Sequence, residues 1–174
     1  MKKVVLITGG TSGIGRAICN VLRSRGHTVY GTGRSISTGH QLDGYTLVQM
    51  DTNLDASVVA AIEWILARED KIDVLVNNAG KGMAGAIEDS SVNEIVDIFN
   101  TNVAGIIRTC QAVLPQMRKN KAGLIINISS VGGLMGLPYR GIYCASKSAV
   151  ETITESLSQE IMQFGIKTVI IEPG

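Results

Sequence analysis

Tyr143 and Lys147 stand four residues apart in the stretch Tyr143-Cys144-Ala145-Ser146-Lys147. The segment around them, from about Gly141 to Phe164, reads as a long helix that Gly165 closes. Positions four apart on a helix share one face, so the phenol and the ammonium can point at one small volume. A tyrosine titrates near pH ~10 in water and is a poor acid or base at neutrality. A fixed positive charge beside it favours the phenolate and brings it toward working pH. Ser130 adds a hydroxyl a little upstream. Alone, a Tyr-x-x-x-Lys pair reads as a surface tyrosine beside a solvated lysine. Here it has company.

A second stretch carries chemistry of another kind. A short apolar run ends in Thr8-Gly9-Gly10-Thr11-Ser12-Gly13-Ile14-Gly15, and a helical pattern follows at once. Glycines at such a place let the backbone turn tightly and approach a pyrophosphate, while the helix start supplies N–H donors and a partial positive charge. Position between a first strand and a first helix is what makes the signal specific. The end of the second strand reads Gly31-Thr32-Gly33-Arg34-Ser35, with an arginine and no carboxylate. A carboxylate there would bond the adenosine ribose and repel a 2′-phosphate, whereas a guanidinium matches phosphate oxygens. The sequence therefore predicts NADP(H) over NAD(H), through Arg34.

Elements must hold these groups. Six runs rich in Val, Ile and Leu recur at Val4–Thr8, Thr28–Thr32, Tyr45–Met50, Asp73–Asn77, Leu124–Ser129 and Lys167–Ile171. They are apolar without alternation, as strands of a parallel sheet covered on both faces should be. Helical patterns lie between them: Ile14 to Arg25, Asp55 to Arg68 with Asp55 as its cap, and Ser91 to Lys119. Ser91-Val92-Asn93-Glu94 has capping-box spacing, and Pro115 should bend or loosen the last turns of that long helix. The link from Gly33 to Gly44 has room for only a turn or two of helix. Strand alternating with helix predicts an α/β fold, a Rossmann-like doubly wound parallel sheet within a single domain, 1–174.

Composition narrows the partners. The chain has 174 residues, 45% hydrophobic and 18% charged, which is enough for a real core. Its net charge of +1 gives no electrostatic reason to expect nucleic acid or an acidic membrane surface. The apolar run after Met1-Lys2-Lys3 is too short for the core of a signal peptide, and none approaches membrane-spanning length. Cys19, Cys110 and Cys144 have neither pairing nor metal-ligand spacing, which fits a reduced, cytoplasmic setting.

By these marks the chain resembles the short-chain dehydrogenase/reductase family along its whole length, and the family's sheet order predicts 3-2-1-4-5-6 for the six strands. Thr8-Gly-x-x-x-Gly13-x-Gly15 resembles its cofactor turn, which makes Gly9, Thr11, Ser12, Gly13, Ile14 and Gly15 cofactor-binding positions. Asp51 matches an aspartate that contacts adenine. Asn77-Asn78-Ala79-Gly80 matches a run that supports the sheet and lines the cofactor ribose, through Asn78, Ala79 and Gly80. Asn102 matches a catalytic-set asparagine, and Pro173-Gly174 a Pro-Gly pair beside the nicotinamide. For the catalytic serine the sequence offers Ser129 and Ser130. Family spacing to the tyrosine is thirteen residues, which selects Ser130. Strand alternation lets only one of the two face the site, leaving Ser129 as a structural hydroxyl.

The resemblance implies a mechanism. Tyr143 would exchange a proton with the oxygen of a carbonyl/alcohol pair as hydride passes to or from the nicotinamide. Ser130 would hold that oxygen where charge develops. Lys147 would lower the tyrosine pKa and hold the ribose hydroxyls, and Asn102 would hold a water linking Lys147 to solvent. The run Gly132 to Pro138 reads as one wall of the substrate pocket, similar to members acting on hydroxysteroids, retinoids and other greasy alcohols. Family pairing implies a homodimer or homotetramer through helices 91–119 and 141–164, whose apolar residues exceed one buried face. Cys144 should pack rather than react, His27 and His40 lack metal or triad partners, and Trp64 reads as a core anchor. Family members continue past the Pro-Gly with a flap and a seventh strand. Three expectations follow for a chain ending at Gly174: a longer protein cut short, a short folded dinucleotide binder, or a catalytically silent scaffold.

Overall fold

Strand β1 (Val4–Ile7) is apolar throughout because both of its faces are covered. Val4 and Leu6 belong to a cluster of 20 buried residues, Val5 and Ile7 to a second cluster of 8. The computed structural model describes all of residues 1–174. It has one sheet, continued by β2 (Thr28–Gly33), β3 (Gln41–Leu42), β4 (Tyr45–Gln49), β5 (Val74–Asn77), β6 (Gly123–Ile128) and β7 (Ile166–Ile171). The spatial order is β3-β4-β2-β1-β5-β6-β7. Every pairing is parallel except β3 with β4. With β3 set aside, this is the order expected from the sequence. Helices α2 (Asp55–Glu69), α4 (Gly105–Asn120) and α5 (Gly141–Ile161) feed the larger cluster through Ile62, Ile65, Val113, Met117, Val150 and Ile161. Helix α1 (Gly13–Ser24) places Cys19 in the smaller one on the opposite face.

Four expectations need correction. The link after β2 holds no helix; it holds the extra strand β3 and makes a seven-stranded sheet. Asp43 and Gly44 both have positive φ, 49° and 84°, which gives the tight turn that suits a two-residue hairpin and pairs Leu42 with Tyr45. Arg16 and Asn20 of α1 donate to the Asp43 carboxylate at 2.9 and 3.2 Å and tie that hairpin down. Asp55 does not cap α2: Leu54 holds the cap position, and the carboxylate pairs with Arg108 instead.

The remaining two corrections concern the stretch 91–119. Its start is as expected, with Ser91 and Glu94 closing a capping box, a feature that stabilises a helix start by about 1 kcal/mol. The single long helix is in fact α3 (Val92–Phe99), a wider π turn over Asn100–Ala104, and then α4. Such a turn inserts a residue into the ladder and re-aims its side chains. Here it swings Asn102 into the interior, where it is 1% exposed. The irregularity thus lies at Asn102, and α4 runs through Pro115 to Asn120.

A buried polar network fixes α4 and α5 against the strands beneath the site. Thr109 of α4 donates to Asn77 Oδ1 at 2.7 Å, and Asn77 donates to Asn127 Oδ1 at 2.8 Å. Asn127 donates in turn to Thr154 of α5 at 2.8 Å. Each group has a partner, so the network orders the layers instead of destabilising them. Trp64 sits at the margin of the core, half-buried, with Arg68 over its ring at 3.4 Å. His27 accepts the Lys3 N–H at 3.1 Å. No helix is long and apolar enough to cross a membrane.

Candidate active site

The glycine turn sits where β1, β2 and β5 end, and it is locked by hydrogen bonds from all three. Thr32 Oγ1 accepts the Gly9 N–H at 3.3 Å, and the Gly10 N–H donates to Thr32 O at 2.8 Å. Thr8 Oγ1 accepts the N–H groups of Asn78 and Ala79 at 3.0 and 2.9 Å. Asn78 returns its side-chain amide to Thr8 O at 2.9 Å and Gly9 O at 3.3 Å. Gly9 has φ +68°, and a Cβ there would stand 3.1 Å from the Asn78 amide. A Cβ on Gly15 would stand 2.1 Å from Gly9 O, so α1 can close on the turn only with glycine at that place. Ser12 takes the N-cap position of α1 without a side-chain bond, leaving the first N–H groups of that helix free for an anion.

Beside the turn lies a cleft of about 400 Å³. Gly9, Thr11, Ser12, Ile14, Arg34 and Asp51 line one side, and Asn78, Ala79 and Gly80 the other. Gly13 and Gly15 are absent from the lining; Gly13 takes a positive φ of 52° at the start of α1, and Gly15 lets that helix close on Gly9. Arg34 is exposed at the rim and makes no ion pair within the chain. Asp51 accepts the Asn53 N–H at 2.9 Å, which orients its carboxylate. The residues fit a dinucleotide: uncapped N–H donors and a free guanidinium face a cleft in which Gly9, at φ +68°, leaves the backbone open to close approach.

A second cavity of about 320 Å³ adjoins it, and the two share Ile14, Asn78, Gly80 and Lys81. Ser130, Tyr143, Lys147, Pro173 and Gly174 line this one, together with Ser129 and Arg140. Lys147 Nζ lies 5.9 Å from the Tyr143 ring centre and donates to Ile128 O at 2.8 Å. Burial holds the ammonium below its ordinary pKa, with Glu151 acting against that shift. Ser130 accepts the Gly132 N–H at 3.2 Å and donates to Pro173 O at 3.4 Å, the long bond being easily exchanged for a ligand oxygen.

Other placements differ from the sequence reading. Ser129 is 3% exposed and its hydroxyl bonds nothing, so it is not a satisfied structural group. Asn102 lies outside the cavity. Its side chain accepts the Lys81 N–H at 2.9 Å and donates to Lys81 O at 3.0 Å and Ser146 Oγ at 3.1 Å. It therefore holds the strand-to-loop exit against α5. Leu134, Met135 and Leu137 stand exposed and do not line the cavity, because Gly133 is pinned by Ser148 at 2.7 Å and carries the loop past it. Cys144 is buried and packs on Gly132, as expected.

The sequence reading did not name Lys81 and gave the Thr8 and Thr32 hydroxyls no role of their own. Lys81 lines both cavities and pairs with Asp97. Its place directly after Asn78-Ala79-Gly80 was the one available signal. The two threonines end strands, and only the sheet shows that their hydroxyls meet the turn.

The chain as a whole is similar to known proteins. A family model described as short chain dehydrogenase matches residues 3–174. The chain is similar to a 3-ketodihydrosphingosine reductase of Bacteroides thetaiotaomicron, 44% identical over 99% of this chain and 63% of that protein. It is also similar to human 17-beta-hydroxysteroid dehydrogenase type 1, 37% identical over 99% of this chain and 56% of that one. Among solved structures, ElxO with NADP bound superposes with a TM-score of 0.93 at 31% identity, covering all of this chain and 74% of ElxO. The chain thus spans a little over half to under two thirds of the length of the two sequence relatives. A glycine turn locked to three strand ends, a tyrosine and a lysine on one helix beside it, and a family model matched almost from end to end place this chain in the short-chain dehydrogenase family.

Proposed function

We propose that the protein is an NADP(H)-dependent oxidoreductase acting on a carbonyl/secondary alcohol pair. The observation that carries this reading is that the cavity lined by Ser130, Tyr143 and Lys147 opens directly onto the cleft of the glycine turn. When bound there, the nicotinamide supplies or accepts the hydride. Tyr143 gives the substrate oxygen its proton in reduction and takes it back in oxidation. Lys147, fixed by Ile128 O and short of water, favours the phenolate of that step and would hold the ribose hydroxyls of a bound dinucleotide. Ser130 exchanges its long bond to Pro173 for the substrate oxygen and steadies the charge that develops on it. Asn102 supports the reaction indirectly, by holding Lys81 and Ser146.

Arg34 carries the cofactor preference: an exposed guanidinium without an internal partner is free for a 2′-phosphate. ElxO, which holds NADP, lends support from outside. For the substrate we infer a hydrophobic ketone or alcohol of steroid-like or sphingoid-like character, since two relatives are named for such compounds. Leu134, Met135, Leu137 and Tyr139 stand exposed on the segment leading to Tyr143 and offer an apolar approach. Val92, Val96 and Ile107 are exposed on α3 and α4, in keeping with a dimer or tetramer through helices 91–119 and 141–164. All three cysteines are buried and unpaired, in keeping with a reducing, cytoplasmic setting.

The test is NADPH consumption against a panel of apolar ketones, with NADH in parallel. Turnover with NADPH preferred and lost in Tyr143→Phe is the expected result. Tight NADPH binding with no turnover on any ketone or alcohol would replace this reading with that of a silent dinucleotide binder.

A further inference from the structure

Tyr45 takes no part in the chemistry above, yet it reaches the glycine turn from two strands away. Its hydroxyl donates to Gly10 O at 2.6 Å, the shortest bond the turn receives, and the side chain is 2% exposed. The path is open only because two neighbours lack side chains. A Cβ on Gly31 would stand 2.8 Å from the Tyr45 ring, and a Cβ on Gly10 would stand 2.6 Å from Gly31 Cα. Cys19 of α1 closes the same knot, 3.0 Å from where a Gly10 Cβ would be. Neither Gly10 nor Gly31 is one of the three glycines that shape the turn itself. Their absence of side chains serves this contact.

The consequence runs through one peptide plane. In a trans peptide the C=O and the following N–H point in opposite directions. Tyr45 draws the Gly10 carbonyl into the core, which turns the Thr11 N–H the other way. That N–H makes no hydrogen bond within the chain, and Thr11 lines the cleft, packed over Gly33 beside Arg34. We propose that Tyr45 is a positioning residue of the dinucleotide cleft: its buried hydroxyl holds the Gly10 carbonyl and so aims the Thr11 N–H at the cofactor. This rests on the dinucleotide reading given above. The hydroxyl remains a donor throughout the working range, since burial pushes the Tyr45 phenol up to about 12.

Tyr30 supplies the control. Its hydroxyl is also held from within, donating to Glu69 at 2.7 Å, but it touches no part of the turn. NADPH and NADH are titrated into wild type, Tyr45→Phe and Tyr30→Phe, and thermal unfolding of each apoprotein is recorded. Tyr45→Phe should raise the Kd for NADPH roughly three- to tenfold, as the loss of one buried hydrogen bond would. Both variants should lower Tm by a few degrees, and Tyr30→Phe should leave the Kd within about twofold. Where Tyr45→Phe yields too little folded protein, Gly31→Ala reads the same contact by displacing the ring, with the same weakening expected. Unchanged NADPH binding in Tyr45→Phe, or equal weakening in Tyr30→Phe, overturns this inference alone. Wild-type protein that bound neither nucleotide would overturn the dinucleotide reading with it.

Discussion

At the amino ends of β1 and β5, the charged groups around Asp73 are paired with one another. The Asp73 carboxylate accepts the Val4 N–H at 2.8 Å and lies 3.1 Å from Lys71 and 3.7 Å from Lys3. Burial pushes that carboxyl up, but the N–H and the two ammonium groups outweigh it and hold it below its ordinary value. At the carboxyl ends the same sheet leaves groups uncommitted. Ser129 bonds nothing, Ser130 holds only long bonds, Lys147 is short of water, and the N-terminal turn of α1 is uncapped. The two edges are alike in strand composition and differ in what their loops do. One end spends its polar groups on joining strands, and changes there should read out as stability. The other holds donors in reserve for a ligand, and changes there should read out as binding or rate.

Four variants bear on that contrast. The largest effect is expected for Tyr143→Phe, which should lower kcat about 10²- to 10⁴-fold while leaving Tm and NADPH affinity unchanged. A fall in Tm as large as the fall in rate would erase the distinction between the two edges. Next comes Gly15→Ala, whose new methyl meets Gly9 O at 2.1 Å. Overpacking of that kind costs about 1–3 kcal/mol, so NADPH binding should weaken roughly ten- to a hundredfold by titration. Arg34→Asp should follow, with the NADPH-to-NADH preference in kcat/KM falling about tenfold or more and Tm unmoved.

The smallest effect should come from the opposite edge. Asp73→Asn should cost about 1–2 kcal/mol and a few degrees of Tm, with kcat and the cofactor Kd as in wild type. The sign of its pH dependence follows from the depressed carboxyl. Its contribution is full above the unfolded-state value near pH ~3.9 and is lost as pH falls through the lower folded-state value. Unfolding followed between pH ~5 and ~2 should therefore converge for wild type and variant at the acid end. A gap that persists there would show that shape, and not charge, makes the Asp73 contribution.

Much of this protein was legible before its fold was known, for local reasons. Strands β1, β2 and β4 to β7 announce themselves as short apolar runs, each matched to within a residue or two of its ends. The capping box at Ser91 and the stop at Gly165 are written in neighbouring residues, and both are present. Tyr143 and Lys147 share a face because helical geometry alone demands it. The misreadings arose where a distant partner decides. Asn102 breaks a helix because Lys81 and Ser146 hold it from other elements. Asp55 forgoes its cap for Arg108 across a helix pair. The hairpin of β3 was signalled by Asp43-Gly44, but its neighbours are too polar for an apolar-run reading to notice.

Sequence by itself determined which residues have the chemistry and which elements they ride on, since both follow from side-chain type and a fixed period along the chain. Tertiary structure alone decided which of those groups meet. It brings Ser130 and Pro173 to one cavity wall and removes Asn102 to the layer behind. It sets Tyr45 against Gly10 across an intervening strand. Such contacts depend on sheet order and on the empty space that glycines leave, and neither quantity is a property of any single stretch of chain.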